Sequence, residues 1–152
     1  MNIMVVGGGG REHAIIKKLK ESKNVDKIYA IPGNGGIAKD AECVAIGAKE
    51  IDKIVEFAVE NKIDFAVVAP DDPLVLGAVD ALNAEGIPCF GPDKKAAAIE
   101  GSKIFSKNLM KKYNIPTASY DVANSVDEAD EIISRSKFPL VIKADGLALG
   151  KG

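Results

Sequence analysis

Apolar residues along the chain fall into short continuous runs that alternate with amphipathic stretches. Runs at Asn2–Val6, Lys27–Ile31 and Asp64–Ala69 predict β-strands, while apolar residues at helical spacing within Ile51–Val59 predict an intervening helix. These strands are apolar throughout, whereas a strand with one solvated face would alternate apolar and polar residues. The pattern therefore predicts an α/β fold, an open parallel sheet with helices on both faces.

Weaker patterns extend the same alternation. Arg11–Leu19 predicts a helix with one apolar face, and Glu42–Ile46 and Ile87–Phe90 predict two further short strands. Asp72-Pro73 predicts the start of another helix, because proline is favoured in the first helical turn. The succession of strands and helices continues to Gly91-Pro92.

The pattern changes after Gly91-Pro92. The predicted elements are a helix at Lys94–Glu100, a helix from a Ser102 cap to Tyr113, a helix from a capping box at Ser125–Glu128 to Arg135, a strand at Pro139–Lys143 and a glycine-rich loop at Asp145–Gly152. We therefore expect a first domain at residues 1–101 and the beginning of a second at 102–152. Because the chain ends inside the loop, we expect it to be a fragment of a longer protein.

Composition narrows the class of protein. With 47% hydrophobic and 28% charged residues, the chain fits a globular protein with a hydrophobic core. Its net charge of −2 gives no field that would attract nucleic acid or an anionic membrane, so neither is an expected partner. The amino terminus lacks the basic segment of a signal peptide, which predicts a cytoplasmic location. Cys43 and Cys89 have no metal-ligand spacing and are expected to be buried thiols.

The glycine run Gly7–Gly10 is the first candidate for binding chemistry. Backbone without side chains lets an anion approach the N–H groups, and the N-terminus of the following helix favours negative charge. The run does not continue as G-x-G-x-x-G, and the second strand ends at Ala30-Ile31-Pro32 without the carboxylate of a dinucleotide site. It therefore favours binding the phosphate of a small substrate, with a purely structural turn as the alternative.

Charged or titratable residues follow the glycines directly. Arg11 suits a phosphate or a carboxylate, and Glu12 also compensates the dipole of the helix. His13 is the only histidine, and we interpret it as hydrogen-bonded support for the loop rather than as a catalytic base.

Two more segments come directly after predicted strands. Pro32-Gly33-Asn34 follows the second strand, and Pro70-Asp71-Asp72-Pro73 follows the strand at Asp64–Ala69. Because ligands of open α/β sheets bind at the carboxyl ends of the strands, we expect both segments to converge with Gly7–Arg11. The two aspartates suit ribose hydroxyls or an amine, although the second is alternatively the N-cap of the helix at Pro73.

Two lysines in the second half suggest a nucleotide. Lys103 stands at a predicted helix start, where a positive charge opposes the helix dipole and is not explained by stability alone. Lys143 ends an apolar run and leads into the loop Gly146–Gly152, whose G-x-x-x-G-K-G pattern is not a Walker motif. Ammonium groups beside glycine N–H donors suit nucleotide phosphates.

Taken together, the motifs resemble those of the glycinamide ribonucleotide synthetases, which belong to the ATP-grasp superfamily. The segments that carry the resemblance occur in the family's order and span the whole chain: GGGGREHA (7–14), IPGNGG (31–36), PDDPLVLG (70–77), FGPDKKAAAIEGSKIFSK (90–107), IPTASY (115–120) and VIKADGLALGKG (141–152). REHA after a glycine run, with EGSK-x-F-x-K and KADGLA-x-GKG, is a specific combination although no single motif is.

The resemblance implies a reaction and its substrates. Family members join glycine to 5-phosphoribosylamine in de novo purine biosynthesis, giving glycinamide ribonucleotide and converting ATP to ADP and phosphate through glycyl phosphate. Mg²⁺ or Mn²⁺ neutralises the phosphates. The fold implied is a Rossmann-like domain that precedes an ATP-grasp domain, with the latter beginning near Lys103.

The resemblance also implies site residues. The phosphoribosylamine site would comprise Gly8, Gly9, Gly10, Arg11, Pro32, Gly33, Asn34, Asp71 and Pro73. The ATP site would begin with Lys103, Lys143, Gly146, Gly150, Lys151 and Gly152. The metal ligands, the adenine-binding wall and most catalytic residues of the family correspond to positions beyond Gly152, so no metal site is expected in this chain.

The chain departs from the family in one motif and leaves other functions open. The family usually has Gly-Pro-Glu-x-Pro-Leu where this chain has Ala69–Leu74 (APDDPL), so the carboxylate of Asp71 is one methylene shorter. We expect the chain alone to lack ligase activity. The alternatives are an ATP-grasp carboxylase related to this family, a dinucleotide-dependent oxidoreductase domain and, for the chain by itself, a non-catalytic module that binds a phosphosugar.

Overall fold

The computed structural model describes residues 1–148. Its strands are β1 (Asn2–Gly7), β2 (Lys27–Pro32), β3 (Glu42–Cys43), β4 (Phe65–Val68) and β5 (Cys89–Phe90). Its α-helices are α1 (Gly10–Leu19), α2 (Ile51–Glu60), α3 (Asp71–Leu76), α4 (Ala78–Ala84), α5 (Lys94–Gly101), α6 (Lys103–Lys112) and α7 (Val126–Arg135). A short 3₁₀ helix covers Ile37–Lys39. The chain divides into two compact units, residues 1–97 and the residues from 98 onward.

The sheet of the first unit has five strands in the order β3-β2-β1-β4-β5, and every pair is parallel. The first strand is central, because the apolar run from Ile3 to Val6 is buried on both faces. It pairs with β2 from Asn2 to Gly7 and with β4 from Ile3 to Val6. The predicted open parallel sheet is confirmed.

Helices cover both faces of the sheet. On one face, Met4 and Val6 of β1 pack in a cluster with residues of α2 and α4, including Ile54 and Leu82. On the other face, Ile3 and Val5 pack with Ile16 of α1. Alternate side chains of a strand point to opposite faces, so the continuous apolar run supplies both clusters.

Several predicted boundaries differ from the observed ones. The third strand ends at Cys43 rather than Ile46, and the helix after β4 starts at Asp71 and is interrupted at Gly77. Gly77 has a left-handed conformation (φ +94°) that ends α3 and begins α4. The alternative interpretation of Asp72 as an N-cap is wrong, because Pro70 occupies that position.

In the second unit, the helix starts were predicted correctly. The Ser102 hydroxyl accepts a hydrogen bond from the N–H of Phe105, and the Ser125 hydroxyl accepts one from the N–H of Glu128. The carboxylate of Glu128 accepts a bond at 2.7 Å from the N–H of Asn124, the residue before the N-cap, and not from the N–H of Ser125 that a full capping box would use.

The strand predicted at Pro139–Lys143 is absent. Val141 and Ile142 are 79% and 76% exposed, and the structure contains no strand between Phe90 and residue 148 with which they could pair. An extended segment becomes a strand only through a neighbouring strand, so local sequence pattern alone cannot produce one. None of the described residues after Ala97 is buried.

No helix among residues 1–148 has both the length and the apolar character that a bilayer span requires.

Candidate functional site

The candidate site of the first unit lies where parallel strands end at one edge of the sheet. Gly7 of β1 is paired with Pro32 of β2, and Val6 is paired with Val68 of β4. The loops that leave these strands are therefore neighbours, as expected for the ligand-binding edge of an open α/β sheet.

The loop after β1 presents backbone donors at the start of α1. Gly9 is the N-cap, and the N–H groups of Gly10, Arg11 and Glu12 donate to no atom of the described residues. The first N–H groups of a helix have no intrahelical acceptor, and the helix dipole adds partial positive charge there. The arrangement is suited to hold an anion.

The loop after β2 is fastened to the first loop by Asn34. Its amide nitrogen donates to the carbonyl oxygen of Gly8 at 2.7 Å. Its amide oxygen accepts from the N–H groups of Gly36 at 2.7 Å and Ile37 at 2.9 Å. A backbone bond from the N–H of Gly33 to the carbonyl of Gly7, 3.2 Å long, adds to this connection. The side chain of Asn34 thus fixes the geometry of both loops.

Glycine is required where the two loops meet. A Cβ atom on Gly8 would lie 2.5 Å from the carbonyl oxygen of Gly33. A Cβ atom on Gly33, which has φ +69°, would lie 2.4 Å from the Sγ of Cys43. Real Cβ atoms do not approach other atoms so closely, so Gly8 permits a close approach of the two backbones, and Gly33 leaves room for the side chain of Cys43.

Two predicted ligand-binding residues are accessible on this surface. Arg11 is exposed on the first turn of α1, and Pro32 is exposed at the end of β2. A guanidinium on the first turn of a helix adds a mobile positive charge beside the free N–H groups.

His13 is engaged in an ion-pair cluster away from the free N–H groups. Its Nε2 lies 2.8 Å from one carboxylate oxygen of Asp40, and the ammonium of Lys20 lies 2.8 Å from the other. The hydrogen bond from Lys20, followed by that from His13, lowers the pKa of Asp40 to about 2. This geometry agrees with the interpretation of His13 as support for the loop, since Asp40 ends the 3₁₀ helix that follows the Asn34 loop.

The loop after β4 contributes Pro70 and the start of α3. Asp71 is half-buried in the first turn, while the carboxylate of Asp72 lies 3.0 Å from the ammonium of Lys49. Pro73 is fully buried, so it supports the start of α3 from beneath. Of the two aspartates, Asp71 has the carboxylate without an ion-pair partner among the described residues.

Glu12 is buried, which the sequence did not indicate. The sequence suggests a solvated dipole-compensating charge, but the side chain is only 3% exposed. Its Oε2 accepts a hydrogen bond from the N–H of Gly9 at 2.6 Å, while Oε1 is buried with no partner among the described residues. A glutamate three residues after an N-cap can reach back to the N-cap N–H, and this spacing was the available signal.

In the second unit, the beginning of the glycine-rich loop contacts the start of α6. The ammonium of Lys103 donates to the carbonyl oxygen of Gly146 at 2.5 Å. The carboxylate of Asp145 accepts from the N–H of Ile104 at 3.2 Å and from the hydroxyl of Ser102 at 3.0 Å. The bond from the N–H of Ile104 is the main cause that lowers the pKa of Asp145.

The other predicted ATP-binding residues are Lys143, Gly150, Lys151 and Gly152. Lys143 lines an open groove with residues that include Tyr120 and Ser136. Gly150, Lys151 and Gly152 lie outside the described residues. Residues 1–148 contain no group of three or more His, Cys, Asp or Glu side chains that could hold a metal ion.

Comparison with known proteins identifies both parts of the chain. Residues 1–100 match the family described as phosphoribosylglycinamide synthetase, N domain, and residues 101–152 match the ATP-grasp (A) domain of the same synthetase. The chain is 54% identical to phosphoribosylamine–glycine ligase of Caldanaerobacter subterraneus and 51% identical to that of Halalkalibacterium halodurans. Both similarities cover 100% of this chain and 36% of the relative, so the chain spans about a third of their length.

Solved structures agree with these similarities. The crystal structure of phosphoribosylamine–glycine ligase from Thermotoga maritima is 32% identical with a TM-score of 0.77, covering 100% of this chain and 35% of that one. N5-carboxyaminoimidazole ribonucleotide synthetase from the same organism has the same fold at 18% identity, with a TM-score of 0.68 over 91% of this chain and 37% of that one. The matches to both synthetase domains, which together span residues 1–152, show that the chain belongs to the phosphoribosylglycinamide synthetase family.

Proposed function

We propose that the chain is the phosphosugar-binding part of a phosphoribosylamine–glycine ligase, together with the beginning of its nucleotide site. In the proposed reaction, ATP phosphorylates glycine to glycyl phosphate, and the amine of 5-phosphoribosylamine displaces the phosphate to give glycinamide ribonucleotide. The observation that carries this proposal is the set of unpaired N–H groups at Gly10, Arg11 and Glu12. They lie in and next to the glycine loop (Gly7–Gly10), where a Cβ atom on Gly7, Gly8 or Gly9 would come too close to neighbouring atoms.

The chemistry of the loop suits a phosphate monoester. When the phosphate is fully ionised, its oxygens accept hydrogen bonds and donate none. The start of α1 offers N–H donors and partial positive charge. Arg11 adds a guanidinium, whose N–H groups match phosphate oxygens in pairs. We place the 5-phosphate of phosphoribosylamine there, with Gly8, Gly9 and Gly33 forming the close backbone wall around it.

The remaining groups of the sugar require other partners. Asp71, at the neighbouring strand end, has a carboxylate that suits ribose hydroxyls or the amine. Pro32 and Asn34 complete the loop that borders the site, and the buried Pro73 holds Asp71 in place. The chain by itself would bind the phosphosugar without catalysing a reaction.

The second unit would provide the first contacts to ATP. Lys103 and Lys143 carry the positive charges for the phosphates, and Gly146 begins the glycine-rich sequence whose N–H groups suit the same phosphates. In the described structure, the ammonium of Lys103 donates a hydrogen bond to the carbonyl oxygen of Gly146. A bound triphosphate would replace this carbonyl as the partner of the ammonium. The described residues provide no metal cluster, and we assign Mg²⁺ or Mn²⁺ to ligands in the part of the ligase that this chain does not span.

Titration with ribose 5-phosphate tests the phosphosugar site directly. The purified 152-residue chain should bind ribose 5-phosphate in calorimetry, and Arg11→Ala should weaken binding about tenfold through loss of a charge-assisted contact. Lys23→Ala, an exposed lysine beyond the end of α1, is the matched charge control and should leave affinity unchanged. Equal affinity of the wild type and Arg11→Ala, or no binding by the wild type, would contradict the proposal.

A further inference from the structure

The side chain of Glu12 is buried directly beneath the glycine loop. A Cβ atom on Gly7 would lie 2.6 Å from Cγ and 2.9 Å from Cδ of Glu12, and a Cβ atom on Gly9 would lie 2.7 Å from its Oε2. The glycines at both positions therefore leave the room that this carboxylate occupies.

One carboxylate oxygen of Glu12 has a structural role and the other has none. Oε2 accepts the hydrogen bond from the N–H of Gly9 and so keeps that donor away from a ligand. Oε1 is buried and has no partner among the described residues. Burying an unpaired carboxylate oxygen costs free energy, so a role in stability alone does not explain it.

The charge of Glu12 also opposes the anion that the loop is proposed to bind. A buried negative charge repels a phosphate at the neighbouring N–H groups, and a fully ionised phosphate has no hydrogen to donate to Oε1. A hydroxyl or an amine on the same ligand does have a hydrogen that it can donate to Oε1. The free oxygen therefore fits a ligand that carries a donor as well as a phosphate.

We propose that Glu12 makes the loop selective for an amine-bearing phosphosugar, with Oε1 accepting a hydrogen bond from the amine while the N–H groups of α1 hold the phosphate. The inference rests on the proposed function, because it assumes that the phosphosugar binds at this loop. Phosphate esters without an amine, such as ribose 5-phosphate, would then still bind at the loop, but more weakly than the amine-bearing substrate.

Glu12→Gln separates this role from a structural one. The glutamine oxygen still accepts the bond from the N–H of Gly9, but its amide presents a donor where Oε1 presents an acceptor. A ligand hydroxyl can use either group, whereas a protonated amine can use only an acceptor. The substitution should therefore affect an amine ligand and spare a hydroxyl ligand.

The probes are ribose 5-phosphate and the carbocyclic analogue of 5-phosphoribosylamine, which keeps the amine and does not hydrolyse. The wild-type chain should bind the amine analogue about tenfold more tightly than ribose 5-phosphate, because hydrogen bonds to charged groups are the stronger ones. Glu12→Gln should abolish this preference and leave the affinity for ribose 5-phosphate within about threefold. Glu21→Gln, which removes an exposed charge beyond the other end of α1, should retain the preference.

Each failure has a distinct meaning. If the wild type binds neither probe, the proposed phosphosugar site is wrong, and the inference about Glu12 falls with it. If the wild type binds both probes equally, or Glu12→Gln weakens both by the same factor, the phosphosugar site stands and the selectivity role of Glu12 is refuted. The wild-type comparison decides the matter even if Glu12→Gln does not fold.

Discussion

Replacing Gly33 by alanine tests the close contact between the loop after β2 and the end of β3. The added Cβ would lie 2.4 Å from the Sγ of Cys43 at a residue whose φ is +69°. A left-handed conformation costs an L-residue about 1–2 kcal/mol. Overpacking of an atom into an occupied space costs about 1–3 kcal/mol. We therefore expect Gly33→Ala to lower the free energy of unfolding by about 2–5 kcal/mol.

The two contributions can be separated by a double-mutant cycle with Cys43→Ala. Removing Sγ takes away the closest atom that the new methyl group meets, but leaves the Cβ atoms of Ala30 at 3.2 Å and Cys43 at 3.3 Å and the conformational cost at Gly33. The single change Cys43→Ala should cost about 1 kcal/mol, because Cys43 is half-buried. The double variant should then be more stable than the sum of the single effects predicts, by about 1–3 kcal/mol.

Urea unfolding followed by far-UV circular dichroism measures these free energies, and an unchanged denaturant slope shows that the unfolded state is comparable. Additive effects, within about 0.5 kcal/mol, would refute the contact between Gly33 and Cys43. Gly35→Ala is a matched control in the same loop, because a Cβ there meets nothing within 4 Å. It should leave stability nearly unchanged.

Three further outcomes follow from the structure. Because folding lowers the pKa of Asp40 to about 2, its carboxylate contributes stability above about pH 4 that is lost as the pH falls towards 2. The difference in urea midpoint between wild type and Asp40→Asn should therefore shrink between about pH 5 and pH 2.5. A difference that stays constant over this range would contradict the expectation. Asn34→Ala should lower the free energy of unfolding by about 1–3 kcal/mol, because it leaves the carbonyl of Gly8 and the N–H groups of the following turn without partners, and it should also weaken ribose 5-phosphate binding in calorimetry. The 152-residue chain should release no phosphate from ATP in the presence of glycine and phosphoribosylamine; release that depends on both substrates would contradict the proposal that the catalytic groups lie outside this chain.

Local pattern was enough to predict most of the first unit and two helix starts of the second. The strand at Asn2–Gly7 is encoded by a continuous apolar run, and the starts of α6 and α7 by the capping residues Ser102 and Ser125. These features depend on residues near in sequence, so the sequence displays them directly. The strand expected at Pro139–Lys143 depends instead on a pairing strand, and the described residues after Phe90 provide none.

The details of the site depend on contacts that are distant in sequence. The glycine and proline segments lie at the carboxyl ends of the strands, as predicted, because these ends meet at one edge of a parallel sheet. The sequence did not reveal that Asn34 would use its side chain to hold Gly8, since this bond joins residues 26 positions apart. It did not reveal the burial of Glu12 either, because a glutamate near a helix start is usually solvated.

The strand order has a consequence for the order of assembly. The first strand to be synthesised lies in the centre, and later strands are added first on one side, as β2 and β3, and then on the other, as β4 and β5. During synthesis, β1 has a neighbour on only one side until the residues up to Val68 have left the ribosome. The glycine loop is thus synthesised before Pro70 and Asp71, and its surroundings are complete only when these two residues have joined it.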